Sequence, residues 1–173
     1  MNRIRRLVFT GLCVALGVVL PLALHAVPKA GNVLLPMHIP VLLCGLACGP
    51  WYGLACGAVL PLVSSLITGM PVPAYLPAMT SELAVYGLAS GLLMKWVRVN
   101  SKLARIYIAL AGAMLIGRLV YGVLNALIFQ AGAYSMQLWL TGVFVAALPG
   151  IIIQLIALPA LILALERLKL IEL

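Results

Sequence analysis

The sequence predicts an all-α integral membrane protein with six transmembrane helices. Of its 173 residues, 65% are hydrophobic and 8% are charged, whereas about a quarter of the residues in soluble domains are charged. The apolar residues form nearly continuous runs and not the alternating pattern of barrel strands. A run of about 20 such residues crosses a hydrocarbon layer about 30 Å thick as one helix. Both observations indicate a bundle of membrane helices.

Helix breakers and charged flanks divide the chain into predicted spans at about residues 7–27, 36–50, 51–67, 80–96, 105–129 and 139–165. These spans make up one predicted membrane domain, residues 1–173. The second and third are short, and the Gly49-Pro50 break between them predicts a tight hairpin. The motif Gly-Leu-Ala-Cys-Gly occurs on both sides of this break, at 45–49 and 53–57. Small residues four apart let helices approach closely, so the motif predicts packing within the hairpin.

The basic residues predict the orientation of the bundle. Most of them fall on one predicted side of the membrane: Arg3, Arg5, Arg6, Lys95, Arg98, Lys102, Arg105, Arg167 and Lys169. Lys29 falls on the other side, and Arg118 lies within a span. Because basic loops stay inside, both termini are predicted to be cytoplasmic. The net charge of +8 is then explained by orientation and by anionic lipid headgroups, and no nucleic-acid partner is expected.

Arg118 is the strongest indication of a functional site, because it is a single guanidinium within an apolar run. A central transmembrane arginine costs at least ~2.5 kcal/mol on insertion scales, so it should face protein or a wet cavity and have a partner. Tyr121, Gly122 and Asn125 follow it on the same helix face. This polar face suits a polar ligand. The alternative is that Arg118 pairs with Glu82 or with helix carbonyls for structural reasons alone.

Further candidates lie toward the predicted outer side. Glu82 and Tyr86 share one face of the fourth span. Glu82 either contacts the ligand or belongs to the helix start, where Thr80 or Ser81 would cap the helix and Glu82 would lie in its first turn. His38, between two prolines, is a ligand contact or an interfacial packing residue.

The predicted outer loops cover about 28–35, 68–79 and 130–138. Gln130 lies where these outer loops surround the mouth of the bundle, and it either contacts the ligand or is an ordinary polar loop residue. The middle loop contains three prolines, which stiffen it, and it is either a lid or a rigid connector. Gln154 is too deep in the last span for the outer mouth, and Trp139 is expected in an interfacial aromatic belt.

Several kinds of chemistry are not indicated by the sequence. The four cysteines lie in apolar segments without nearby histidine or carboxylate partners, so packing is expected and not a metal site. There is no P-loop motif, no nucleophile elbow and no series of intramembrane acids for a proton relay. No catalytic residue and no cofactor is predicted. Uphill transport would therefore take its energy from another subunit.

The stretch 35–43, the glycines and prolines that follow it up to Pro71, and Glu82-Leu83 with Tyr86-Gly87 resemble the substrate-specificity subunit of energy-coupling factor (ECF) transporters, which import vitamins into bacteria. The resemblance implies a multi-pass protein of the bacterial plasma membrane that captures a vitamin beneath its outer loops. It implies docking onto a membrane scaffold subunit that carries two cytoplasmic ATPases. The family's first helix typically carries two alanines four apart for this docking, and the nearest match here is Gly11 and Ala15.

A buried arginine beside tyrosine and asparagine favours a small anionic or strongly hydrogen-bonding ligand. The first expectation is pantothenate, followed by pyridoxine, a lipoate-like acid or a queuosine precursor. Two other functions remain open at this point: a self-sufficient channel or small exporter, and a membrane-embedded enzyme.

Overall fold

The computed structural model describes residues 1–24, 33–130 and 135–171, and within them the chain is helical without strands. The helices are α1 (Arg3–Ala23), α2 (His38–Cys48), α3 (Pro50–Thr68), α4 (Leu76–Trp96), α5 (Lys102–Leu124), α6 (Met136–Leu140) and α7 (Leu148–Arg167). A π-helical turn follows α5, at Asn125–Phe129, and another follows α6, at Thr141–Val145. The predicted all-α class is confirmed. Lys29, the end of the first predicted span and parts of two predicted outer loops lie outside the described residues.

Four helical segments are long and apolar enough to cross a membrane: Arg3–Ala23, Pro50–Thr68, Lys102–Phe129 and Leu148–Arg167. Helix α2 is apolar but has 11 residues, a length of about 16 Å, which is short of a hydrocarbon core of about 30 Å. Helix α4 is long enough but carries more polar residues. The chain is thus a multi-pass membrane protein with four candidate spans among the described residues, and the count of six stays a prediction.

The first and last described residues lie at the same end of the bundle, which we call the terminal end. Met1 and Ile4 line a groove together with Leu165 and Leu170. Close by in the fold, Lys102 at the start of α5 forms an ion pair with Glu166 of α7. An even number of crossings requires this arrangement. Which side of the membrane the terminal end faces stays a prediction.

Three of the differences from the predicted spans have a local physical reason. Helix α1 starts at Arg3, because the Asn2 side chain caps it by accepting a hydrogen bond from the Arg5 N–H at 2.9 Å. Helix α4 starts at Leu76 instead of residue 80, since proline is tolerated in the first helical turn. The sixth predicted span is divided into α6 and α7 by a π-helical turn and two turn residues, before Pro149 in the first turn of α7.

Glycines hold α2, α3 and α4 close together. Gly49 alone joins α2 to α3, with a positive φ of 99° that glycine adopts easily, and the predicted hairpin is confirmed. Within the hairpin, a Cβ on Gly53 would lie 2.7 Å from the Gly45 Cα and nearer still to the Gly87 carbonyl oxygen of α4. The repeated small motif therefore packs the hairpin as predicted, and it also makes room for α4, which the sequence did not indicate.

Replacing Gly87 by alanine should lower the melting temperature of the purified protein. Its added Cβ would lie 2.3 Å from the Gly53 carbonyl carbon, and backbone cannot move away as a flexible side chain can. Overpacking of this kind costs roughly 1–3 kcal/mol. The control is Gly11→Ala on α1, where a Cβ meets nothing within 4 Å. Equal melting temperatures for the two variants would contradict the close packing of α3 on α4.

Candidate functional site

Arg118 is buried in the bundle without a partner for much of its guanidinium group. It is 3% exposed, and its Nε and Nη1 atoms make no hydrogen bond. Among the residues that the structure describes, no carboxylate lies within ion-pair distance of it. The ring of Phe144, from the π-helical turn after α6, lies 5.4 Å from the guanidinium carbon. This cation–π contact stabilises the charge in part but offers no acceptor for the N–H groups.

His38, Glu82 and Tyr86 come together from α2 and α4. The His38 Nε2 atom lies 3.7 Å from the Glu82 carboxylate, and the His38 and Tyr86 rings meet edge to face at 5.0 Å. The Tyr86 phenol interacts electrostatically with both Glu82 and Arg118, although its hydroxyl forms no well-aligned hydrogen bond. The Tyr86 ring also packs on Gly117, next to Arg118. We call His38, Glu82, Tyr86 and Arg118 the Arg118 cluster.

The structure does not support the two structural explanations weighed for Glu82 and Arg118. Glu82 is not a capping residue, because α4 begins six residues before it and its first turn holds no acid. Ser81 donates to the Ala78 carbonyl at 2.8 Å, and the Thr80 hydroxyl is buried without a partner, so neither caps the helix. The nearest ion-pair partner of Glu82 is His38 and not Arg118. The His38 side chain is buried in this contact.

Trp139 packs against α5 beside Arg118, and its expected place in an interfacial belt stays a prediction. Its indole N–H donates to the Arg118 carbonyl oxygen at 3.1 Å, and its ring fills the space beside Gly122, where a Cβ would lie 2.5 Å from the indole nitrogen. Trp139 also packs edge to face on Phe144. The gap that Gly122 leaves on α5 is therefore occupied by protein. Trp139 and Gly122 also line an apolar groove of about 250 Å³, together with Leu119, Ala126 and Met136.

The remaining residues predicted on α5 lie progressively further from the cluster. Asn125 is buried, and its amide nitrogen donates to the Tyr121 carbonyl at 2.8 Å. Tyr121 is half-buried. Gln130 ends the π-helical turn, twelve residues past Arg118 and on the order of 17 Å along the helix axis. The structure therefore does not bring Gln130 into the Arg118 cluster.

Gln154 is a candidate that the sequence reasoning left out. It is 0% exposed, and both its amide oxygen and its amide nitrogen lack a hydrogen-bond partner. Its position as a single amide in the apolar run of the last span was the available signal. Nothing in the sequence indicated that Phe144 lies at the site, because an aromatic residue among apolar ones is ordinary in a membrane segment.

The cysteines and the middle loop show structural contacts. Cys13, Cys44, Cys48 and Cys56 are buried free thiols, and no group of metal-ligating side chains suited to an ion occurs among the described residues.

In the loop after α3, the carbonyls of Met70 and Pro71 accept hydrogen bonds from Ser64 and Ser65, at 2.8 and 2.9 Å. Anchoring of this kind is typical of a rigid connector.

Helix α1 presents Gly11 and Ala15 on an open face. Both residues are exposed, whereas Cys13 and Gly17 face the bundle and are buried. A Cβ on Gly17 would collide with the Leu60 side chain of α3. Gly11 and Ala15 thus form a strip of small residues that no described part of the chain covers.

Comparison with known proteins gives one family. The family model described as ECF transporter, substrate-specific component matches residues 5–162, a stretch that includes the Arg118 cluster, Trp139, Phe144 and Gln154. No curated protein and no solved structure matches the chain. The family consists of transporter components and is not an enzyme family. With a helical multi-pass fold and a match over most of its length, the chain belongs to the substrate-specific components of ECF transporters.

Proposed function

We propose that this chain is the substrate-binding subunit of an ECF-type importer and that it captures a small anionic vitamin or related micronutrient at the Arg118 cluster. The observation that carries the proposal is the Arg118 guanidinium, buried with two nitrogen atoms unpaired. A charge in such a place is stabilised best by an opposite charge that is also hydrogen-bonded. Since the chain supplies no carboxylate at ion-pair distance within its described residues, the ligand is the natural source of one.

The other members of the cluster support a ligand with more than one polar group. Arg118 presents a planar fork that suits a carboxylate or a phosphate. Glu82 and the Tyr86 hydroxyl, which forms no well-aligned hydrogen bond, can accept from hydroxyl or amide groups of the same molecule. Pantothenate, which carries a carboxylate, an amide and hydroxyls, is the first candidate. Pyridoxine, a lipoate-like acid and a queuosine precursor follow it.

Transport requires partners in this proposal. The chain has no P-loop, so a membrane scaffold subunit with two cytoplasmic ATPases would supply the energy. The protein would lie in the bacterial plasma membrane with six crossings and both termini in the cytoplasm. The basic residues near the terminal end support this orientation, because they are typical of cytoplasmic flanks.

The test is reconstitution of the purified chain in liposomes without ATPase subunits. It should bind radiolabelled pantothenate and should not accumulate it above the external concentration, whereas liposomes that also contain the scaffold and ATP-loaded ATPases should. Accumulation or downhill flux through the isolated chain would favour the channel or exporter instead. Absence of binding to the wild-type chain, with no co-purified small molecule in native mass spectrometry, would refute the binding role itself.

A further inference from the structure

We infer that Gln154 is a further substrate-contacting residue, which selects ligands that carry a paired hydrogen-bond donor and acceptor, such as an amide, at the end remote from the anionic group. The inference rests on the proposed function, since it assigns a second contact to the same ligand. Three observations carry it: the unpaired amide of Gln154, and two independent measures of its level in the bundle.

The Gln154 amide is entirely enclosed and entirely unpaired. Its side chain is inaccessible, and neither its oxygen nor its nitrogen has a hydrogen-bond partner. Leaving a buried donor and a buried acceptor unpaired is costly, and nearly all such groups in native proteins have partners. The neighbours along the helix, Ile153 and Leu155, are apolar. A purely structural position in this run would be filled well by leucine, so the amide calls for a partner that the described part of the chain does not provide.

The contact between α7 and the segment just before α2 places Gln154 near the start of α2. Both helices run toward the terminal end, since the Cys48 carbonyl at the end of α2 accepts from Arg6 at 3.2 Å and Glu166 near the end of α7 pairs with Lys102. Gly150 packs directly on Leu34, where a Cβ would lie 2.9 Å from the backbone. Gln154 is four residues beyond Gly150, or about 6 Å along the axis, and α2 begins at His38, after the turn that follows Leu34.

The ion pair between α5 and α7 gives a second measure of the same level. Arg118 lies sixteen residues from Lys102, about 24 Å along α5, and Gln154 lies twelve residues from Glu166, about 18 Å along α7. Because Lys102 and Glu166 are in contact, Gln154 lies about one helical turn nearer the terminal end than Arg118. Both measures put the amide at the level of the Arg118 cluster or just below it, on a helix that contacts both α2 and α5.

This placement of Gln154 predicts the orientation of the bound ligand. Its anionic group would meet Arg118, and its other polar end would meet Gln154 about one turn further toward the terminal end. A primary amide side chain donates and accepts at once, so it recognises an amide, a lactam or a hydroxyl beside a carbonyl. An acid with an apolar tail would leave the Gln154 amide unpaired. The site should therefore prefer a pantothenate-like acid to a lipoate-like acid.

The experiment compares three full-length proteins purified in detergent: wild type, Gln154→Leu, and the control Gln137→Leu at an exposed position. Each is titrated with pantothenate and with lipoate by calorimetry, and each is melted without ligand. We expect Gln154→Leu to weaken pantothenate binding about tenfold or more, to leave lipoate binding equal or stronger, and to melt no lower than wild type. Gln137→Leu should match wild type throughout.

The outcomes separate the inference from the proposed function. Three results would each overturn the role of Gln154 and leave the proposed binding function intact. The first is equal pantothenate affinity in wild type and Gln154→Leu, and the second is a preference of the wild type for lipoate over pantothenate. The third is a lower melting temperature of ligand-free Gln154→Leu than of ligand-free wild type. If wild type binds neither acid but carries a co-purified small molecule in native mass spectrometry, Gln154→Leu must lose that molecule. If wild type binds neither acid and also carries no co-purified small molecule, the proposed function has failed.

Discussion

Arg118→Ala should weaken the binding of an anionic ligand by about 2–4 kcal/mol, or roughly 30-fold to 1000-fold in the dissociation constant. The truncation removes a charged donor and also leaves the charge of the ligand unpaired in a dry site. Arg118→Lys should recover part of the loss, since an ammonium group lacks the planar fork that meets a carboxylate at two points. Titration calorimetry of the purified protein measures the change. Arg98→Ala, at an exposed position, is the matched control and should bind as wild type does.

The same variants separate ligand binding from a structural role. Glu82 is nearest to His38, and Arg118 has unpaired nitrogen atoms, so Arg118→Ala should not lower the melting temperature of the ligand-free protein. Adding Glu82→Gln to it should bring no recovery of stability. If Arg118 instead formed a structural pair with Glu82, the single change would destabilise and the double change would restore stability. Unchanged affinity together with a lowered melting temperature would refute the binding role of Arg118.

Ala15→Leu should abolish transport in the assembled transporter while ligand affinity stays within about twofold of wild type. Gly11 and Ala15 form an exposed strip on α1, and small side chains let the backbones of two membrane helices approach closely. A leucine there would hold the scaffold subunit away without touching the Arg118 cluster. Uptake of labelled ligand into liposomes with scaffold and ATPases measures transport, and calorimetry on the isolated chain measures affinity.

The control for this change is Ala111→Leu on α5, also an exposed position within a membrane helix. It adds the same apolar volume away from the α1 strip and should leave both transport and binding intact. A parallel loss of binding and transport in Ala15→Leu would mean that α1 serves the fold or the pocket. Full transport by Ala15→Leu would place the docking surface elsewhere.

The sequence by itself determined the class of the protein and the importance of Arg118. Helices follow from long apolar runs, because in lipid every backbone hydrogen bond must be made within the segment. The cost of a charge in such a run is equally local, so Arg118 stood out without any knowledge of its neighbours. The sequence also predicted which residues share a helix face, such as Glu82 with Tyr86. The structure places His38 in contact with both. The Gly49 hairpin followed from local backbone preference.

The tertiary structure decided what surrounds Arg118. Phe144 and Trp139 come from a segment 21 to 26 residues further along the chain, and their meeting with α5 depends on the rotation and register of each helix. Apolar membrane helices carry little information on either, because side chains facing lipid and side chains facing protein are equally apolar. Capping stayed open for Glu82 for a related reason: whether it caps a helix depends on where α4 begins, and the prolines before it allow more than one start. The gap beside Gly122 is filled by the indole of Trp139, which the fold brings there from another helix.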